Sequence, residues 1–476
     1  MERNIVGTTG WSRREFIRRA AAAGVIAVPA GATLSACATA GGSGNKKVKS
    51  GKKSNQNPLA VNETAPLDVV IFNGGYGYEY GKKDATIYNK EFPKAKVSVS
   101  GIQQLGQKLQ PRFVGGNPPD IIDNSGAGNL DVATLVSQGQ IQDLSAMFNA
   151  PSIDDPDKTV KDSLLPGVYD NGLFSGKPFI LNYVYTVNGI WHSKSLFEQK
   201  GWESPKTWDD MMALCAKIQK SGMSPWTTQG KYPQYLLNPL LSMAAKMGGQ
   251  DVLINLDNLE PNAWKAPAVK AASEAIYELV AKKYFLPGTP GLTHTQSQTY
   301  WAQGKAAFIS CGSWLENELG TITPKGFDMV VEPTPSLSSS DKLPYETIWA
   351  AAGEGFIVPA KGKNPQGGME FMRIMLGKQA STQFSTLTHS LTALAGYAAN
   401  LSLSTAFDSA NAVVKAAGSN TLNWSFGTWY AKMETNIENA TGALLSGKIK
   451  PDEWMTRCQK AADDTAKDSS IKKYKR

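Results

Sequence analysis

Histidine is almost missing from this chain. There are three in 476 residues, at 192, 294 and 389, isolated from one another and from cysteine. No HxxxH pair or His/Cys cluster exists, so the sequence offers no metal-ligand set. Cysteine is sparse too, four residues with no CxxC, which excludes a disulfide-built scaffold. There is no GxSxG elbow. Phe174-Ser175-Gly176-Lys177 resembles the end of a phosphate loop, but Gly172 stands one residue too close and Pro178 replaces the required Ser or Thr. Gly74-Gly75-Tyr76-Gly77 lacks the GxGxxG spacing. No nucleotide, metal or other cofactor is therefore implied. No run reaches the length of about 18 apolar residues that a spanning helix needs.

What is present can build a large core. Apolar residues make up 41%, with 12 Trp, 16 Tyr and 16 Phe, which excludes wholesale disorder. The net charge of +8 suggests at first a nucleic-acid or membrane-surface binder. Its distribution removes that reading. Residues 1–36 contribute +3, residues 37–53 contribute +5 and residues 472–476 contribute +4, so residues 54–471 carry −4. The body is mildly acidic and no nucleic-acid partner is expected.

The N-terminus is an address. Ser12-Arg13-Arg14-Glu15-Phe16-Ile17-Arg18 matches the twin-arginine pattern, and an Ala-rich stretch broken by Gly24, Pro29 and Gly31 follows. Leu34-Ser35-Ala36-Cys37 is a lipobox, in which the Cys37 thiol takes a diacylglyceryl group. The expectation is a signal peptide over 1–36, export by the twin-arginine route, lipidation at Cys37 and a flexible Gly/Ser/Lys tether over 37–60. The protein is then held by lipid alone at the extracellular face of the membrane. Cys215, Cys311 and Cys458 read as core thiols.

From Leu67 onward strands alternate with helices. Leu67–Phe72, Val97–Val99 and Asp120–Ile122 read as strands, with helices over about 82–92, 102–114 and 128–138 between and after them. This is an α/β order with a largely parallel sheet, whose ligand loops, 73–80 and 123–129, follow the strands' carboxyl ends. A long extended run crosses at Phe179–Trp191. A capped helix starts at Thr207, and helices dominate after about residue 366, one of them over 428–445.

Many aromatics lie in polar loops rather than on apolar faces: Tyr76, Tyr78, Tyr80, Trp226, Tyr232, Tyr235, Trp314, Trp349, Trp424, Trp429 and Tyr430. Sugar rings present an apolar C–H face to aromatics and a hydroxyl rim to polar groups such as Asn317 and Glu354. Trp191, Trp208, Trp301 and Trp454 sit on strand or helix patterns and read as core. Asp123, Glu316, Glu318 and Glu354 adjoin Gly-rich loops, so an exported carbohydrate-active enzyme remains a rival reading, with a purely structural surface lipoprotein as a third.

Three stretches then carry a resemblance. The first is Phe174-Ser175-Gly176-Lys177-Pro178-Phe179 with the crossing to Trp191 and Ser204-Pro205-Lys206-Thr207-Trp208-Asp209. The second is Gly304-Lys305-Ala306-Ala307-Phe308 with Gly312-Ser313-Trp314. The third is Gly353-Glu354-Gly355-Phe356-Ile357-Val358-Pro359. On these the chain resembles the family 1 carbohydrate-binding proteins of ABC importers. Asn57-Pro58-Leu59, Pro118 to Gly126, Asn258 to Trp264 and Ser313 to Glu318 are similar to the actinobacterial members that bind N-acetylglucosamine and diacetylchitobiose.

The resemblance implies a two-lobed, periplasmic-binding-protein-like (type II) α/β fold with hinge-linked lobes, over 61–180 plus 345–398 and 185–342 plus 402–470. It implies a monomer without catalysis, partnered by permease subunits and, through them, an ATPase. Carried over by motif, the ligand site contains Tyr76, Asn124, Ser125, Tyr185, Tyr232 or Tyr235, Trp314 and Trp429. The loop aromatics Trp226, Trp349 and Trp424 join it with Asn317 and Glu354. Trp314 and Trp429 are the expected stacking residues. Gly75, Tyr76 and Tyr185 stand where maltose-type relatives carry charge, which argues against a maltodextrin ligand.

Overall fold

The computed structural model describes residues 48–126, 128–350 and 353–476. The twin-arginine motif, the lipobox and Cys37 lie outside the described residues. The strands in chain order are β1 (Leu67–Phe72), β2 (Val97–Ile102), β3 (Ile121–Asp123), β4 (Leu173–Phe174), β5 (Lys177–Pro178), β6 (Leu181–Asn182) and β7 (Val187–Ser193). They continue as β8 (Ser224–Thr227), β9 (Ala306–Gly312), β10 (Met329–Glu332), β11 (Ile348–Ala350), β12 (Gly355–Ile357) and β13 (Thr421–Leu422).

Two sheets organise the chain. The first has the order β2-β1-β3-β12-β6, the second β13-β11-β7-β9-β8 with β10 beside β7. In the first, β1, β2 and β3 run parallel, as their intervening helices require, while β12 is antiparallel to both neighbours. The second is not the parallel sheet expected. β7 is antiparallel to β9, β10 and β11. The reason is that the chain enters it by an extended crossing instead of a helix. Within the stretch 345–398, expected in the first lobe, Ile348–Ala350 pairs in the second sheet, with β13 and β7.

The tether is shorter than expected. Val48 N donates to Lys363 O at 2.9 Å and Gly51 N to Ala60 O at 2.8 Å. Asn57 closes a local loop with Val61 through two bonds of 2.8 Å, and Val61 is fully buried. A polar segment without apolar period can still dock when side-chain amides satisfy its backbone. Trp191, Trp208, Trp301 and Trp454 are core, and the thiols of Cys215, Cys311 and Cys458 are buried and unbridged. Thr207 and Asp210 form a capping box on the helix Trp208–Lys220. The expected helix over 428–445 is two, Phe426–Trp429 and Ala431–Leu445, broken at Tyr430 with φ −138° and ψ 68°.

The helix Pro365–Met375 packs on the first sheet and carries a buried ion pair. Arg373 grips Glu370 with bonds of 2.7 and 2.9 Å and donates to Pro151 O at 2.9 Å. Removing the cation alone strands a buried carboxylate, whereas replacing both charges with apolar groups does not. Arg373→Met is expected to cost about 3 kcal/mol by urea denaturation, with the Glu370→Met/Arg373→Met double variant more stable than the single. A double variant less stable than the single contradicts this account.

Candidate functional site

Between β6 and β7 the chain passes from one sheet to the other, and between β11 and β12 it passes back. The two passages lie side by side: Tyr183 N donates to Glu354 O at 3.0 Å and Val184 N to Gly353 O at 3.2 Å. The segment 391–393 flanks them, with Tyr185 N donating to Leu391 O and Ala393 N to Tyr183 O, both at 2.8 Å. A Cβ on Gly353 would lie 2.2 Å from Thr186 Oγ1, so glycine permits this approach.

The crossing is buried, yet polar residues recur on it at even spacing: Asn182, Thr186 and Asn188. Asn182 Nδ2, Thr186 Oγ1 and Asn188 Nδ2 have no partner in the protein. The Tyr76 hydroxyl, brought in by the loop after β1, is also unpartnered, although the hydroxyls of Ser390, Thr186 and Ser313 face it. Burial, and next the nearby Glu354, push its acidity far from use, so Tyr76 remains a neutral phenol. Buried polar atoms without partners are uncommon and costly. Several such atoms lie along this one passage.

Beside them lie two carboxyls in hydrogen-bonding reach of each other, Asp123 at the end of β3 and Glu354, whose φ of +42° is strained for a non-glycine residue. Burial raises Asp123 to about 6, moderated by bonds from Glu354, Ser125 and Tyr80. Burial and the Asp123 charge raise Glu354 well above the carboxylate range, so Glu354 holds the proton. Ser125 Oγ donates to Asp123 at 2.5 Å and accepts from Gly355 N at 2.8 Å. Carboxyls in direct contact leave no room for the separations of about 5–9.5 Å that glycoside hydrolysis uses. Glu316 is tied to His389 at 3.1 Å and Ser404 at 2.7 Å, and Glu318 to Gln298 at 2.5 Å.

The second lobe supplies aromatics. Trp314 folds its ring over Gly312, where a Cβ would lie 2.1 Å from it, and meets Tyr235 edge-on at 6.1 Å. Glu318 approaches the first-strand loop, 3.1 Å from a Cβ built on Gly75. Trp349 stands opposite Asn188 in the sheet and stacks on Trp424 at 4.3 Å with 17° between planes. Next to this pair, in sequence and along β13, opens a cleft of about 440 Å³ lined by Leu173, Gly176, Thr421, Asn423, Trp429 and Arg476, among others.

The structure brings Tyr76, Ser125 and Glu354 together at the crossing and puts Trp429 on the cleft, with the stacked Trp349 and Trp424 outside its lining. It removes others. Trp226 is core, its ring against Phe308 and its backbone bonded to Tyr284 and Leu286. Tyr185 is buried with its hydroxyl on Pro166 O. Asn124 spends its amide on the backbone of Leu130. Asn317 donates to Thr388 O. Tyr232 packs on His294 at 5.2 Å. Trp429 is 5% exposed and donates to Leu173 O, so it borders the cleft by an edge rather than offering a free face. Asn182, Thr186 and Asn188 are not among the residues that the sequence pointed to; their signal is isolated polar residues inside an otherwise apolar run. Among the described residues no metal-ligand cluster and no helix able to cross a membrane occurs.

Residues 72–382 match the family of bacterial extracellular solute-binding proteins. The chain is 35% identical over 468 residues to the diacetylchitobiose-binding protein NgcE of Streptomyces coelicolor, covering 96% of this chain and 98% of that one. It is 20% identical to the multiple sugar-binding protein of Streptococcus mutans, over 66% of this chain and 72% of that one. In structure it is similar to a chitin oligosaccharide binding protein (TM-score 0.64, 20% identity, 80% of this chain and 93% of the other). It is likewise similar to RafE of Streptococcus pneumoniae (TM-score 0.67, 18% identity, 85% and 98%).

Two stability outcomes follow from the site's geometry. The Thr186 hydroxyl faces Tyr76 but meets no partner at hydrogen-bonding geometry, so Thr186→Val is expected to hold or raise the melting temperature, where loss of a structural hydrogen bond lowers it. For the carboxyl pair, folded-state values above the unfolded ones mean that the folded chain binds more protons, so this contribution to stability falls as pH rises through about 6. Wild type is therefore expected to lose stability relative to Glu354→Gln between about pH 4 and pH 8 in denaturant titrations. Parallel pH profiles contradict the shared proton.

Proposed function

The chain belongs to the bacterial extracellular solute-binding proteins, and from that premise we propose that it captures N-acetylglucosamine and its β-1,4 disaccharide, N,N'-diacetylchitobiose. It delivers the sugar to the permease subunits of an ABC importer, driven by an ATPase, and performs no chemistry of its own. Exported by the twin-arginine route, it works as a monomer tethered by lipid at Cys37 on the outer face of the membrane.

The observation that carries this reading is the 35% identity maintained over 96% of the chain to a relative named for diacetylchitobiose binding. The site's chemistry supports it. Asn182 and Asn188 hold unpartnered amide donors, which suit the N-acetyl carbonyl or a ring hydroxyl. Tyr76 and Thr186 add hydroxyls that donate or accept. A proton shared by Asp123 and Glu354 limits the pair to a single negative charge, as a neutral ligand requires. The Trp349–Trp424 stack offers the flat apolar surface that a sugar's C–H face fits. The cleft volume of about 440 Å³ lies within the range of small-molecule sites.

Isothermal titration of the full chain against a sugar panel tests the proposal. Binding is expected for N-acetylglucosamine and diacetylchitobiose and not for cellobiose or xylobiose. Asn188→Leu and Trp349→Ala should each weaken it by about tenfold or more, equivalent to about 1.4 kcal/mol. Binding of cellobiose without N-acetyl sugars removes the ligand assignment. Turnover of chitooligosaccharides that Glu354→Gln abolishes removes the binding-only reading.

A further inference from the structure

The basic run Lys472-Lys473-Tyr474-Lys475-Arg476, which contributes +4 to the net charge, is docked on the body. Arg476 Nη1 donates to Asp257 Oδ2 and Asn423 O at 2.7 and 2.8 Å, its other terminal nitrogen bonds Asn423 Oδ1, and Asp257 is fully buried. Lys475 Nζ holds Asn258 O and Glu260 at 2.9 Å. Lys473 Nζ caps the carbonyls of Asp468 and Ile471 at 2.5 and 2.6 Å. These cations tie the segment to the body that carries the second sheet.

Tyr474 reaches the other way. It is 2% exposed, and its backbone N–H donates to Tyr430 Oη at 2.9 Å. Its ring lies 5.5 Å from Trp429 and meets Phe174 edge-on at 5.2 Å. Phe174 belongs to the β4–β5 hairpin that leads into the first sheet, and the Tyr474 hydroxyl, itself unpartnered, faces Asp131 of the loop beyond β3. Lys475 and Arg476 also line the cleft shared by Leu173, Gly176, Asn423 and Trp429.

We propose that the segment Lys472–Arg476 is a working wall of the sugar cleft. Arg476 fixes Asn423 and the second-lobe side of the wall, and Tyr474 carries the contact across to the hairpin Leu173–Pro178, so the segment sets how firmly the cleft closes on its ligand. The inference rests on the sugar-binding reading above, and both Tyr474 and Arg476 act as positioning residues for it.

The test uses the full chain. Arg476→Gln is expected to lower the melting temperature of the sugar-free protein, because it strands buried Asp257, and, measured well below that temperature, to raise the Kd for diacetylchitobiose about tenfold. Sugar is expected to slow amide exchange over 468–476 in wild type. Tyr474→Ala, measured without sugar by small-angle scattering, should give a larger radius of gyration because the cross-lobe contact is lost. An Arg476→Gln affinity within twofold of wild type, or exchange over 468–476 indifferent to sugar, overturns the wall. So does an unchanged radius of gyration for Tyr474→Ala. If that variant does not fold, the Arg476→Gln affinity and the exchange decide. A wild-type chain that binds no N-acetyl sugar sinks the ligand reading instead, and the scattering comparison still judges the cross-lobe contact.

Discussion

Everything in this molecule depends on how three extended passages between the sheets satisfy their backbones. A buried passage cannot leave N–H and C=O groups bare. Residues 183–185 solve the problem by bonding to 353–354 on one side and 391–393 on the other. That solution consumes backbone groups and leaves side chains uncommitted, so Asn182, Thr186 and Asn188 can be buried for reasons other than folding. Their cost in stability is tolerable because the backbone around them is fully engaged, and it becomes useful when a ligand supplies the missing partners. Passages of this kind are also where hinge motion is absorbed, since few residues need to change their dihedral angles.

Charge is handled with the same economy. The site contains carboxyls at its most buried point, but their contact forces them to share a proton, and the resulting charge is spread over Ser125 and Tyr80. A fully ionised pair would repel itself and would select for cations. The surplus positive charge of the chain is placed elsewhere, and the part of it at 472–476 is absorbed by buried Asp257, by Glu260 and by carbonyls.

The alternation of strands and helices, the capping box at Thr207, and the core positions of Trp191, Trp208, Trp301 and Trp454 were legible because each depends on local periodicity. The second sheet's antiparallel pairing was not, because nothing local reveals that β7 arrives by a crossing. Site aromatics were only partly legible. Trp226 sits between Ser224-Pro225 and Thr227-Thr228, which looks like a polar loop, but pairing of β8 with β9 seals it against Phe308. Asn124 carries a ligand-like amide that the loop itself consumes at Leu130. In each case a long-range or loop-closing partner decides the outcome. The three crossing residues carry a readable signal, isolated polar side chains in an otherwise apolar run.

Two half-buried tryptophans beside the crossing strand differ from most of the aromatics that fill the molecule. Several core pairs meet edge to face, as Trp264 does with Phe426 at 76° and Trp301 with Phe327 at 87°, while buried Tyr80 and Tyr183 stack at 24°. Trp349 and Trp424 also lie nearly parallel, but both remain half-buried. A stacked pair covers one face of each ring and leaves the opposite faces for other neighbours. Placed opposite Asn188 in the sheet, Trp349 therefore joins a flat apolar surface to an unpartnered amide within one strand register. A ring with an apolar face and a polar rim is the ligand shape that meets both demands at once, and this juxtaposition, more than the number of aromatics in loops, supports the proposed sugar ligand.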